Sequence, residues 1–274
     1  MRKEISWWDN KYHTDGRNPP LVKYTKQFRP ITEQLTHAMN YSCYDVMATQ
    51  ISGDFSPTTA KMRGNWESDV RNYDNSTHDH VARFVMPHKV RHLIPSAKII
   101  FTLRNPSDRL NSKYNKRAAA YAQRASAQLL HDIVTRSLQW FNTCRQFYDS
   151  DRCILGNQFK QFSVPKYMEY LRPGCYSVYI RKWMEVFPKQ QLLFLKFEDY
   201  VLDPIASIEK NILPFLGLDS FNTSIRRGLQ QGQIKNKARL HVSLRNDTRK
   251  LLDDFYYPFN RDLETILGKK FSYF

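Results

Sequence analysis

Apolar positions along the chain fall into short continuous runs separated by longer stretches of helical period. Phe28, Ile31, Leu35 and Met39 recur at three- and four-residue spacing, which predicts a helix over 25–40. Residues 44–51 read as a strand, followed by the turn Ser52-Gly53-Asp54-Phe55-Ser56-Pro57. Residues 1–24 and 60–80 are polar without a period and read as irregular, and 81–94 as a helix stopping before Pro95. The apolar run 98–103 predicts a strand, 106–121 a helix, and 126–149 a longer helix. Residues 151–173 read as an insertion on one face. Beyond them come an amphipathic helix (176–187), a buried strand (191–197) and a helix (204–216). The last element is a helix over 247–267, interrupted at Pro258. Helices alternating with short apolar strands predict an α/β fold whose parallel sheet is covered on both faces.

No linker, composition break or repeat divides the 274 residues, so a single domain over 1–274 is expected. Seventeen Phe, 16 Tyr and 5 Trp argue against disorder. Charge changes the picture more. Forty-two Lys plus Arg against 26 Asp plus Glu give +16, which favours a polyanionic partner: nucleic acid, an anionic membrane surface, or a sulfated or carboxylated glycan. The basic residues are scattered and no zinc-finger, homeodomain or RNP-type pattern accompanies them. Nucleic acid is therefore the weaker choice against a sulfated or carboxylated glycan.

Cys43, Cys144, Cys153 and Cys175 include no Cys-x-x-Cys pair, so neither a zinc site nor a thioredoxin-like motif is indicated. Cys144 and Cys153 stand nine apart, close enough for a local disulfide. Asn40, Asn75, Asn222 and Asn246 each begin a glycosylation sequon. With the cysteines they point to a secretory lumen. No signal peptide opens the sequence, and no apolar run reaches roughly 18 residues. His88 and His92 are spaced i, i+4, but no third ligand is evident and no metal is expected.

The chemistry concentrates in Ala97-Lys-Ile-Ile-Phe-Thr-Leu-Arg-Asn-Pro-Ser-Asp-Arg-Leu-Asn-Ser112. Arg104 falls at the carboxyl end of a strand, where α/β sheets bind ligands. Pro106 suits the first position of the next helix, and Ser112 lies about two turns into it. An arginine, a helix N-terminus and a hydroxyl together suggest a phosphate site.

The Arg104-x-Pro106-x-x-Arg109-x-x-Ser112 run resembles the 3′-phosphate motif of the carbohydrate sulfotransferases that use 3′-phosphoadenosine 5′-phosphosulfate (PAPS). Lys3-Glu4-Ile-Ser-Trp7-Trp8 resembles the Glu-x-x-aromatic-aromatic segment of the glycosaminoglycan members. The stretch 176–200, with Leu195-Lys-Phe-Glu-Asp199, and Asp253-Asp-Phe-Tyr-Tyr-Pro-Phe-Asn260 resemble structural elements of the family. The resemblance implies a P-loop-NTPase-like α/β/α sandwich, PAPS as donor and a sulfated glycosaminoglycan as acceptor. It implies Glu4 as general base and Lys3, Trp7, Trp8 and Ser56 at the acceptor. Arg104, Arg109 and Ser112 would hold the donor, with Lys237 and Arg239 on a loop over the nucleotide. The Trp-Trp run, Tyr73-Asp-Asn-Ser-Thr77 and the Cys144/Cys153 spacing look most like the branch that sulfates the 6-hydroxyl of N-acetylgalactosamine 4-sulfate in chondroitin or dermatan sulfate, in the Golgi lumen.

The sequence departs from the family in two places. Several relatives carry a lysine near the position of Phe55. None of the nine glycines stands in a phosphosulfate-binding loop, which in relatives precedes the Lys-Glu segment. The expectation is an N-terminally incomplete domain whose first strand, phosphosulfate loop and membrane anchor would precede Met1, so that this chain alone turns over little PAPS. The alternative is a catalytically inactive polyanion- or glycan-binding relative.

Overall fold

Two parallel strands, β1 (Ile99–Leu103) and β2 (Leu192–Lys196), pair in the register Ile99↔Leu192 through Leu103↔Lys196. The computed structural model describes residues 86–120, 125–155, 164–230 and 242–273. The expected helix at 25–40, strand at 44–51 and turn at 52–57 lie outside these residues. A short helix, α1 (Met86–Leu93), leads into β1, and α2 (Pro106–Ala120) follows it. Next come α3 (Ala127–Arg145), α4 (Ser150–Leu155) and α5 (Met168–Leu171), the last running into a 3₁₀ turn at Arg172–Gly174. α6 (Tyr176–Met184) returns the chain to β2. Beyond β2 stand α7 (Phe197–Leu202), α8 (Pro204–Ser207) and α9 (Leu213–Leu216), with a π turn at Ile208–Ile212 between the last two. α10 (Thr223–Gln230) and α11 (Asn246–Leu267) complete the order. Parallel pairing requires a crossover, and the helices α2 to α6 supply it.

The core forms where the helices meet one face of the sheet. Phe101 stacks on Phe194 and meets Trp183 of α6 edge-on, with centroids 5.2 and 5.5 Å apart. Leu103, Leu110, Trp183, Tyr256 and Leu263 are all buried. On the opposite face Leu195 is buried, while Ile100 is 37% exposed and Thr102 is also exposed. Among the described residues that second face is therefore covered only in part.

Two expectations change. Within the expected insertion at 151–173, the described residues 151–155 and 164–173 pack into the core, with Cys153, Ile154, Met168 and Leu171 almost fully buried. Arg172 ties the segment down. Its Nε donates to the Ile154 carbonyl and its Nη2 to the Leu155 carbonyl at 2.7 Å, satisfying the open end of α4. Pro258 does not interrupt the last helix, which runs unbroken over Asn246–Leu267. Its missing N–H leaves the Asp254 carbonyl without its helical donor, but both residues lie on the exposed side, where water serves. Tyr256, Phe259 and Leu263 hold the other side in the core. The helix α10 was not legible, since Ile225 and Leu229 are the only apolar pair in a polar stretch, and both are exposed.

The disulfide suggested by the cysteine spacing is formed. Cys144 at the end of α3 joins Cys153 in α4. Cys175 is a buried free thiol, its pKa pushed up by burial. No helix among the described residues is long and apolar enough to cross a membrane.

Candidate functional site at the carboxyl edge of the sheet

Backbone groups at the end of β1 are secured one after another by side chains from distant elements. The Leu103 carbonyl accepts from the Tyr273 hydroxyl at 2.9 Å. The Arg104 carbonyl accepts from the Tyr176 hydroxyl at 2.9 Å. The Asn105 N–H donates to Glu198 Oε1 at 2.8 Å. Burial pushes both phenols up, most of all Tyr273, where Glu198 adds to the effect, so both remain donors through the neutral range.

Asn105 then starts α2. Its Oδ1 accepts from the N–H groups of Ser107 and Asp108 at 3.0 and 3.1 Å. This is the ordinary work of an N-cap, and Pro106 fits behind it. These two first-turn donors of the expected helix-terminus site are thus engaged by the cap itself. Ser107 Oγ donates to Asp253 Oδ1 at 2.6 Å, and Arg249 pairs with Asp108, so α2 is clamped to α11.

The side chains at this edge are placed as follows. Arg104 is half-buried, and its guanidinium carbon lies 5.0 Å from the Phe197 ring centroid. Ser112 is exposed two turns along α2. Arg109, expected beside them, is engaged inside the fold. Its Nη2 donates to the Tyr170 carbonyl at 2.7 Å, and its Nε is buried without a hydrogen-bond partner. It fastens α2 to α5. Lys113 follows suit, donating to the Glu169 carbonyl at 2.6 Å, and Arg117 pairs with the Glu169 carboxylate at 3.1 Å.

Two residues at this edge carry roles that the sequence reading missed. Phe197 and Glu198 were read only as part of a structural module, and nothing in their spacing tells that they reach Arg104 and Asn105. Asn115 was missed as well. Its Oδ1 accepts from the Val242 N–H at 2.7 Å and its Nδ2 donates to the Val242 carbonyl at 3.1 Å. Lys3, Glu4, Trp7, Trp8, Ser56, Lys237 and Arg239 lie outside the described residues, as do Asn40 and Asn75. Asn222 and Asn246 are exposed, and Asn222 Oδ1 caps α10 by accepting from the Ile225 N–H at 2.8 Å. Among the described residues no group of three His, Cys, Asp or Glu is placed to hold a metal.

Arg104 thus stands just beyond the carboxyl end of a parallel strand, the edge at which α/β folds commonly bind ligands. The chain belongs to the sulfotransferase family, since the model of the "Sulfotransferase domain" matches residues 12–254. It is 29% identical over 280 residues to carbohydrate sulfotransferase 15 of Homo sapiens, covering 97% of this chain and 48% of that protein. It is 26% identical over 201 residues to the bifunctional heparan sulfate N-deacetylase/N-sulfotransferase 2 of Homo sapiens, covering 68% of this chain and 20% of that protein. A solved sulfotransferase from Alicyclobacillus acidocaldarius superposes with a TM-score of 0.46 at 20% identity, covering 66% of this chain and 59% of its own. The chain thus spans about half the length of the carbohydrate sulfotransferase 15 proteins of human, rat and mouse.

Proposed function

We propose that this chain is the sulfuryl-transfer domain of a carbohydrate sulfotransferase, taking the sulfuryl group from PAPS to a hydroxyl of a glycosaminoglycan sugar. The 6-hydroxyl of N-acetylgalactosamine 4-sulfate in chondroitin or dermatan sulfate is the acceptor this reading favours, in the Golgi lumen. The observation that carries it is the half-buried Arg104 at the carboxyl end of β1, in a chain whose residues 12–254 match the sulfotransferase domain.

Arg104 and Ser112 would hold the 3′-phosphate of the donor. Lys237 and Arg239 stand five and three residues before Val242, which Asn115 pins one turn beyond Ser112. Lys237 and Arg239 would lie on a loop closing over the nucleotide. Glu4 would take the proton from the acceptor hydroxyl as its oxygen bonds to sulfur. The bond from sulfur to the 5′-phosphate oxygen breaks, and adenosine 3′,5′-bisphosphate leaves. Lys3, Trp7, Trp8 and Ser56 would line the acceptor, the indoles offering stacking faces to sugars.

The test is transfer of ³⁵S from PAPS over a panel of chondroitin 4-sulfate, dermatan sulfate and heparan sulfate, with any coding sequence that precedes Met1 included. Label in 4,6-disulfated N-acetylgalactosamine is expected. Label confined to heparan sulfate overturns the acceptor, and no label on any glycan overturns the activity. The net charge of +16 favours a second reading, a non-catalytic binder of sulfated glycans, which would retain heparin affinity without transfer.

A further inference from the structure

Beyond the last rung of the sheet, side chains continue the correspondence between the two segments. Leu103 faces Lys196 in the last rung. The next residue on each side meets again, the Arg104 guanidinium over the Phe197 ring at 5.0 Å. The residues after those meet too, the Asn105 N–H on Glu198 Oε1 at 2.8 Å.

We infer that Phe197 and Glu198 are positioning residues for anion recognition: the Phe197 ring presents the Arg104 guanidinium, and Glu198 fixes the backbone that carries it. The preference for a 3′-phosphorylated nucleotide is then set partly from the start of α7, directly after β2, although the motif that reads it follows β1. This rests on the donor-site reading given above.

The physical argument is one of pre-ordering. An arginine free in solvent samples many rotamers, and ordering it when a ligand arrives costs affinity. A ring beneath the guanidinium narrows those rotamers beforehand. It does so through the face of the cation, so it consumes none of the five N–H donors, which lie in the guanidinium plane. A carboxylate partner would order the side chain equally well, but it would occupy the donors that a phosphate needs. The base of the side chain is held as firmly. Tyr273, Tyr176 and Glu198 take the Leu103 carbonyl, the Arg104 carbonyl and the Asn105 N–H in succession. Three separate parts of the chain thus converge on one arginine.

The experiment titrates the full chain with adenosine 3′,5′-bisphosphate and with adenosine 5′-monophosphate by calorimetry, and reads the ratio of the two dissociation constants. In Phe197→Leu that ratio should fall by roughly five- to tenfold, the range of a partly desolvated cation–π contact. Phe197→Tyr, which keeps a ring, should restore it. Phe197→Met, which keeps bulk without a ring, should behave as Phe197→Leu, and circular dichroism melts of all three establish that they fold. In an Arg104→Ala background, Phe197→Leu should change the ratio no further. Glu198→Ala should also lower it. A parent that prefers the bisphosphate while Phe197→Leu keeps the same ratio, or weakens both nucleotides equally, overturns the positioning role alone. A parent with no preference overturns that role together with the donor-site reading.

Discussion

Asn115 and Val242 exchange a pair of hydrogen bonds, at 2.7 Å into the Asn115 carboxamide oxygen and 3.1 Å out of its nitrogen. Asn115 is 3% exposed and sits three residues past Ser112 on α2. The chain that follows Lys237 and Arg239 is thus fixed to the helix that carries Ser112. Asn115→Ala removes both bonds at once. It should cost about 1–3 kcal/mol by urea unfolding, the range for leaving buried polar groups unpaired. It should also weaken adenosine 3′,5′-bisphosphate binding. Unchanged nucleotide affinity would show that the tie serves stability only.

The disulfide between Cys144 and Cys153 closes a short loop between α3 and α4, so its stabilisation is moderate. Loop-closure entropy for that separation gives about 2.5 kcal/mol. Cys153→Ser, or reduction, should lower the Tm by several degrees, and parent and variant should melt alike once the parent is reduced. Peptide mapping under non-reducing conditions should recover the two cysteines in one cross-linked fragment.

Gly174 is required for space. A Cβ there would lie 2.6 and 2.7 Å from the ring carbons Cε1 and Cζ of Tyr256 and 2.8 Å from its hydroxyl oxygen. That ring cannot retreat, since it is fully buried and its hydroxyl donates to the Leu171 carbonyl at 2.8 Å. Gly174→Ala should destabilise by about 1–3 kcal/mol, as overpacking does. Gly174→Ala with Tyr256→Phe should recover little, because the clash is with the ring itself. Full recovery in that double variant would mean that the hydroxyl was the obstacle.

His88 in α1 gives acid sensitivity. Burial holds its pKa below the ordinary 6.5, with Glu185 raising it and Lys182 lowering it. The unfolded chain keeps the ordinary value, so below about pH 6.5 it binds a proton that the folded chain refuses. This contribution is complete above that pH and is lost as the pH falls toward the folded value. His88→Gln should flatten the dependence of Tm on pH in that window. An unchanged slope would assign acid sensitivity to another group.

Both described strands could be read from the sequence because they are apolar but for Thr102 and their apolar runs end at basic residues: Leu103 before Arg104, and Leu195 before Lys196. The α2 start could be read too, since Asn105-Pro106 is a local capping signal. What could not be read depends on partners distant in sequence. Arg109 matches the motif as well as Arg104 does, and only the Tyr170 carbonyl, 61 residues away, shows that it is engaged elsewhere. The 151–173 segment looked peripheral because its buried residues are few and irregularly spaced. Pro258 looked like a break because a local rule was applied without the packing that overrides it.

Tyr273 completes the hydrogen bonding of Leu103 from the far end of the chain, 170 positions away. The ring of the same residue lies under the Lys196 ammonium at 5.1 Å. Truncation after Ser272 would therefore remove the donor to the Leu103 carbonyl, at the rung next to Arg104. An attachment in the exposed stretch around Leu218 would leave that point alone.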